Sequence, residues 1–140
     1  MRRLMLWVLA GCAGLVLVYI RLAPVDVARW HTAEWQARAP GDYPGEGQFL
    51  AVRTGNAEDM ARLGGAAEAT ARTRVIAGSA AAGHVTYQTR SRWMGFPDYT
   101  SVTLRDGQLQ IFGRLRFGRK DFGVNEKRIL AWIEAAGLDK

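Results

Sequence analysis

Hydrophobic and polar positions divide the chain into one apolar run, one unpatterned stretch and a series of short periodic segments. Leu4 to Ile20 carries no charge and is bracketed by Arg2, Arg3 and Arg21. From Ala23 to Gly47 no long period is present, and Pro24, Pro40 and Pro44 punctuate the sequence. This reads as an extended arm, with one helical turn around Val27 to Glu34. Gln48 to Arg53 reads as a strand. Asn56 before Ala57-Glu58-Asp59 is a helix N-cap with acidic residues in the first turn. Met60, Leu63, Ala67 and Thr70/Ala71 then recur at helical spacing, predicting an amphipathic helix over 57–71.

Arg74 to Ala77 reads as a further strand, followed by a loop of small residues over 78–83. The clearest pattern comes next. Val85, Tyr87, Thr89, Ser91 and Trp93 alternate with Thr86, Gln88, Arg90 and Arg92, a period of two that marks a strand. Gly95 to Asp98 forms a turn, and Tyr99 to Arg105 the next strand. Asp106-Gly107 is a hairpin turn, since both residues accept positive φ. Gln108 to Phe117 is the last strand. Asn125 is the expected cap of a final helix, with Glu126 in its first turn, an apolar face of Ile129, Leu130, Trp132 and Ile133, and Gly137 at its end. The order β-α-β-β-β-β-α predicts an α+β fold: an N-terminal transmembrane helix, then a two-layer sandwich in which two helices cover a mostly antiparallel sheet. Three segments result: an anchor over 1–22, a juxtamembrane arm over 23–47 and a compact domain over 48–140.

The apolar run admits three readings. A cleaved signal peptide needs small residues at the cut, and Arg21 occupies one such position if Ala23 is the last residue removed. Leu9-Ala10-Gly11-Cys12 reads as a lipobox, but few apolar residues precede it and apolar sequence continues past Cys12. The third reading, an uncleaved anchor, fits best. The run sits at the short end of the roughly 17–25 residues needed to span a bilayer, with Trp7, Tyr19 and Leu22 at its edges. Arg2, Arg3 and the amino terminus keep the N-terminus cytoplasmic. The expected topology is single-pass in the inner membrane with a periplasmic C-terminal domain.

The formal net charge is +6, and it is unevenly placed. Val85 to Arg128 holds nine Lys/Arg against four Asp/Glu, whereas the rest of the chain after Leu22 holds seven against nine. A local positive field points to an anionic ligand, partner or membrane surface; the competing reading is arginines scattered over solvated faces. Cys12 is the only cysteine, and His31 and His84 are the only histidines. No disulfide and no dense metal-ligand set is expected, and no cofactor.

Two stretches echo each other. Arg90-x-Arg92-Trp93 is followed by Gly95 and Asp98-Tyr99; Arg114-x-Arg116-Phe117 is followed by Gly118 and Asp121-Phe122. Strand alternation places Arg90 with Arg92, and Arg114 with Arg116, on faces away from Leu109, Ile111, Leu115 and Phe117. Four guanidinium groups on one sheet face repel unless compensated. Either Asp98, Asp121 and Glu126 pair with them, or an anion completes the set, since guanidinium forks match phosphate and carboxylate. The candidate binding set is Arg90, Arg92, Arg114, Arg116, Arg119 and Arg128. Asp98, Asp121, Asn125 and Glu126 are the candidate structural partners. Gly95, Gly118 and Gly123 are the turn residues, and the backbone near Gly118 and Gly123 could add N–H donors to an anion site.

The blocks Thr89 to Tyr99, Arg116 to Asn125 and then Arg128 resemble the domain-of-unknown-function 1499 family, short bacterial proteins, also found in plastids, often with one N-terminal membrane helix. The arm from Arg21 to His31 is similar to its alphaproteobacterial branch. The resemblance covers most of the chain and is most specific from about His84 to Ile133. Some members have a Cys-containing segment near the start of the domain; this chain lacks it, so no role of those cysteines transfers. The resemblance implies no established activity, and it marks Arg90, Arg92, Asp98, Arg116, Gly118, Asp121, Gly123, Asn125 and Arg128 without assigning roles.

No Gly-x-Ser-x-Gly, P-loop, Gly-x-Gly-x-x-Gly or zinc spacing is present. Ser79, Ser91 and Ser101 have no nucleophile context. Asp98 and Asp121 could be drawn as an acid/base pair, but arginine neighbours would keep both ionised. His84, at a strand start, reads as a surface or edge residue. Nucleic acid is not the expected partner of a domain outside the cytoplasm. Three hypotheses stand. The leading one is a non-enzymatic envelope module that binds an anionic lipid, glycan or protein through its arginines. The second is a structural or assembly protein with those arginines paired internally. The third is an enzyme on phosphorylated envelope precursors with Asp98 or Asp121 as base.

Overall fold

The computed structural model describes residues 1–32 and 34–138. Residue 33, within the expected helical turn, and residues 139–140, at the end of the segment read as the compact domain, lie outside the described residues.

The apolar run forms a single helix, α1 (Arg2–Leu22), about 32 Å long at 1.5 Å per residue. It is long and apolar enough to cross a membrane, and nearly all of its side chains face outward. A short turn α2 (Val27–Trp30) follows, capped by the Asp26 carboxylate, which accepts the Arg29 N–H. The remaining elements are β1 (Gly41–Gly45), β2 (Gln48–Thr54), α3 (Ala57–Glu68), β3 (Thr73–Ser79), β4 (His84–Arg90), β5 (Pro97–Arg105), β6 (Gln108–Leu115) and α4 (Val124–Ala136). The strands build one antiparallel sheet in the order β1-β2-β6-β5-β4-β3. The fold is α+β. Helix α3 lies between β2 and β3 in the chain and packs with α4.

Local chemistry explains the joints. The Asn56 side chain accepts the Glu58 and Asp59 N–H groups while Asp59 accepts the Asn56 N–H, closing a capping box on α3. Asp106 and Gly107 take φ of 51° and 75°, the values a two-residue hairpin needs between β5 and β6. Strand β1 was not visible as a strand in the sequence. Its Gly-Asp-Tyr-Pro-Gly run is rich in turn formers, and it is tolerated because it is an edge strand, where Pro44, which has no N–H, removes no bond from a central ladder.

The two faces of the sheet differ. One face packs under α3 and α4. Phe49, Ala51, Val85, Tyr87, Val102, Leu109 and Ile111 meet Met60, Leu63, Ile129, Trp132 and Ile133, all almost fully buried. Each buried Val, Leu, Ile, Phe or Met among them contributes about 1.5–3 kcal/mol by leaving water. Gly113 lets α4 lie close, because a Cβ there would stand 2.8 Å from Asn125 Oδ1 and 2.9 Å from Ile129 Cδ1. The opposite face is covered by the arm. Trp30 is buried and stacks on Tyr99 with ring centroids 4.3 Å apart. The Gln36 backbone N–H and carbonyl both bond to the Gln110 side chain.

Helix α3 ends at Glu68 rather than 71, β3 spans Thr73–Ser79 rather than 74–77, and β5 starts at Pro97 within the expected turn; three further differences bear on the site. Strand β4 stops at Arg90, where the chain turns and the Ser91 N–H bonds back to the Phe96 carbonyl. Strand β6 stops at Leu115 rather than Phe117. Asn125 does not cap α4; it lies inside the helix, fully buried. The capping carboxylate belongs to Asp121, which accepts the Gly123 and Asn125 backbone N–H groups.

Candidate functional site

The two echoing stretches lie at one end of the sheet, where Phe96 and Phe117 meet with ring centroids 6.3 Å apart. Because β4 and β6 end early, Arg92 and Arg116 fall beyond the strands. The four arginines therefore do not crowd one sheet face. They separate into groups with different surroundings.

Arg90 and Arg92 join three arginines that the sequence reading left out. Arg21, Arg72, Arg74, Arg90 and Arg92 line a cavity of about 570 Å³, together with Thr73, Gln88, Ser91 and Gly95. It lies beside edge strand β3, at the C-terminal end of α1. Each of four arginines is steered by one nitrogen. Arg21 Nη2 donates to the Trp93 carbonyl at 3.1 Å. Arg72 Nε donates to the Arg90 carbonyl at 3.1 Å, and Arg74 Nε to Gln88 Oε1 at 2.9 Å. Arg90 Nη1 donates to the Gly95 carbonyl at 2.8 Å. Arg92 lies over the Trp93 ring, 5.1 Å from its centroid. Among the described residues none of these five lies within ion-pair distance of a carboxylate. Fixed by one edge, each guanidinium keeps further N–H groups for another acceptor. Arg72 also sits in the left-handed backbone region, at φ 58°, which costs on the order of 1–2 kcal/mol for a side-chain-bearing residue.

Arg114 is used differently. It lies under the arm and donates to the Trp30 carbonyl at 2.8 Å, to Ser101 Oγ at 3.2 Å and to Thr32 Oγ1 at 3.4 Å. The Trp30 and Phe112 rings flank it. Burial lowers its pKa and Glu34 opposes that shift; an arginine stays charged regardless. Arg116 donates to the Tyr99 hydroxyl at 3.4 Å. Arg119 is exposed.

Arg128 belongs to a third set. Its Nη2 bonds Asp98 Oδ2 at 3.1 Å and its Nη1 bonds Asn125 Oδ1 at 3.0 Å, with the Arg128 and Asp98 side chains only 10% and 15% exposed. Asn125 Nδ2 in turn donates to Asp121 at 2.9 Å. The chain Asp121–Asn125–Arg128–Asp98 ties the loop before α4 to α4 and to β5. Burial pushes the Asp98 carboxyl up, with Arg128 working against it. Burial also pushes Asp121 up, but the hydrogen bonds from Asn125 and Gly123 outweigh it and hold its carboxyl below the usual range. Glu126 is exposed in the first turn of α4 and forms no ion pair among the described residues. Gly95, Gly118 and Gly123 all take positive φ. Gly95 also packs on Arg21, whose Nε would stand 3.1 Å from an added Cβ.

The two histidines, 53 positions apart, stack with ring centroids 4.1 Å apart. His31 Nδ1 bonds Thr86 Oγ1 at 2.9 Å and His84 Nδ1 bonds Thr103 Oγ1 at 2.8 Å. His84 is thus half-buried beneath the arm, not a surface residue. No group of three or more His, Cys, Asp or Glu able to hold a metal ion is found among the described residues.

The family described as "Protein of unknown function (DUF1499)" matches residues 31–135. The chain belongs to this family. No curated protein matches it. The DUF1499 match starts at His31, so it takes in most of the arm as well as the sheet and both packed helices. Arg21 lies outside the DUF1499 match, and Arg72, Arg74, Arg90 and Arg92 lie inside it. The sequence did carry a signal for the missed pair. Arg72-x-Arg74 repeats the Arg-x-Arg spacing of Arg90-x-Arg92, and the antiparallel pairing of Arg74 with Gln88 brings both to the same end of the sheet. Only the pairing, which joins β3 to β4, makes that spacing meaningful.

Proposed function

We propose that this protein is a membrane-held, non-enzymatic binding module whose five-arginine cavity takes an anionic group. Helix α1 would cross the inner membrane with its N-terminus in the cytoplasm, and the domain would stand on the periplasmic side. The observation that carries the reading is the convergence of Arg21, Arg72, Arg74, Arg90 and Arg92 on one cavity, with no carboxylate in its lining among the described residues. Five uncompensated guanidinium groups repel one another, and a phosphate or carboxylate in their midst removes that cost while accepting bidentate bonds. Guanidinium, amide and hydroxyl groups make up the polar lining, a set suited to holding an anion.

A narrower structural reading applies to the other arginines. Arg114 and Arg128 are committed to internal bonds, which supports a purely architectural role for those two. The test is thermal unfolding of the full chain in neutral-lipid nanodiscs, titrated with inorganic phosphate and pyrophosphate. Wild type should gain Tm in a dose-dependent way, and the Arg74→Gln/Arg92→Gln variant should not. Equal shifts in both proteins, or none in either, would remove the cavity as the anion site.

A further inference from the structure

Two loops at the end of the sheet reached by α1 carry large apolar side chains into solvent. The β4–β5 loop presents Trp93, 79% exposed, and Met94. The β6–α4 loop presents Phe122, 87% exposed, just before Val124. Phe122 holds a φ of 53°, a left-handed conformation unfavourable for a side-chain-bearing residue, while its ring stays largely exposed among the described residues. The loops are coupled: Phe96, Phe117, Phe122 and Val124 line one groove of about 400 Å³ between them. Exposed Arg92, Arg119 and Lys120 are interleaved with these aromatics.

Singly scattered apolar residues need no explanation. Here a separate observation says what covers them. Arg21, in the last turn of α1, donates to the carbonyl of Trp93 itself, and its side chain packs on Gly95 of the same loop. A helix that crosses a bilayer surfaces at that point, so the β4–β5 loop stands at the level of the lipid headgroups. Trp at this depth is favoured because its ring is apolar and its N–H polar. Basic side chains beside it are attracted to an anionic leaflet.

We infer that this rim is a bilayer-docking edge. Trp93 and Phe122 enter the boundary between headgroups and acyl chains, and Arg92, Arg119 and Lys120 meet lipid phosphates. The inference rests on reading α1 as a membrane anchor. It adds that the domain lies against the membrane rather than swinging free on its arm, with the five-arginine cavity opening beside the headgroups.

The full chain in vesicles containing phosphatidylglycerol tests it by spin-label accessibility to oxygen against a water-soluble nickel complex. Native Cys12 reports on α1. Trp93→Cys, Phe122→Cys and Asp106→Cys, each in a Cys12→Ser background, report on the rim and on the hairpin at the other end of the sheet. Labels at 93 and 122 should favour oxygen, and the label at 106 should favour the nickel complex. Labels at 93 and 122 as water-accessible as that at 106, with Cys12 lipid-buried, would overturn docking and leave the anchor intact. A water-accessible Cys12 label would overturn the anchor and docking together. Adding Arg92→Gln/Arg119→Gln/Lys120→Gln should move the rim labels toward water; unmoved labels would overturn the part assigned to the basic residues.

Discussion

The two faces of the sheet are built by different physics, and strand β6 shows both at once. Ile111 points into the helical layer and is fully buried among apolar side chains. Arg114, three residues on, points the other way and holds the arm through its carbonyl and hydroxyl partners. Burial of apolar area is non-directional and tolerates small shifts. A guanidinium bonded to three groups fixes one geometry and loses much when any partner moves. The helical face therefore carries most of the stability, and the arm face carries the position of the segment that leads back to α1.

Three changes probe that division. The largest effect is expected from Ile111→Ala, which should cost about 2–5 kcal/mol and lower the urea midpoint of the whole domain with an unchanged slope. A loss confined to the arm would contradict a single core under α3 and α4. Arg114→Met keeps the aliphatic stem and removes the fork, and should cost about 1.5–3 kcal/mol. Its signature is local: faster amide exchange from Trp30 to Gln36, with an unaltered near-ultraviolet signal from Trp132. Uniform loss of protection across the sheet would mean the two faces are not separable. The smallest effect is the pH dependence of the arm. Burial lowers the His84 pKa from 6.5, and nearby His31 adds to it. The unfolded imidazole then binds a proton before the folded one does, so stability should fall as pH drops below 6.5. Unfolding measured from about pH 7.5 to about pH 5.5 should show this slope in wild type and a flatter one in His84→Gln. Equal slopes would rule out His84 as its source.

How much of this was legible in the sequence depended on the range of the interaction. The alternation from Val85, the Asp106-Gly107 turn and the Asn56 cap are local signals, and each produced the element expected. The α+β architecture followed from their order. Strand β1 was missed because its run is rich in turn formers, and only pairing with β2 makes a strand of it. The clustering of Arg21 and Arg72 with Arg92 depends on contacts between distant segments, which periodicity cannot report. Arg92 and Arg116 lie past the ends of β4 and β6, and alternation alone does not report where a strand stops. Asn125 looked like a cap because Asn usually is one, whereas the carboxylate four residues earlier takes that place.

The position of β6 has a consequence for biosynthesis. Residues 48–54 pair with 108–114, and Trp30 rests on Tyr99 and Arg114. The sheet cannot close, and the arm has nothing to rest on, until β5 and β6 have been made. Contacts so far apart in sequence form slowly, and their partners stay open in the meantime. Strands β1 and β2 would wait for a partner made about 60 residues later, the span between β2 and β6. If α1 holds the chain at a bilayer, as proposed above, it limits how far those open edges can wander while they wait.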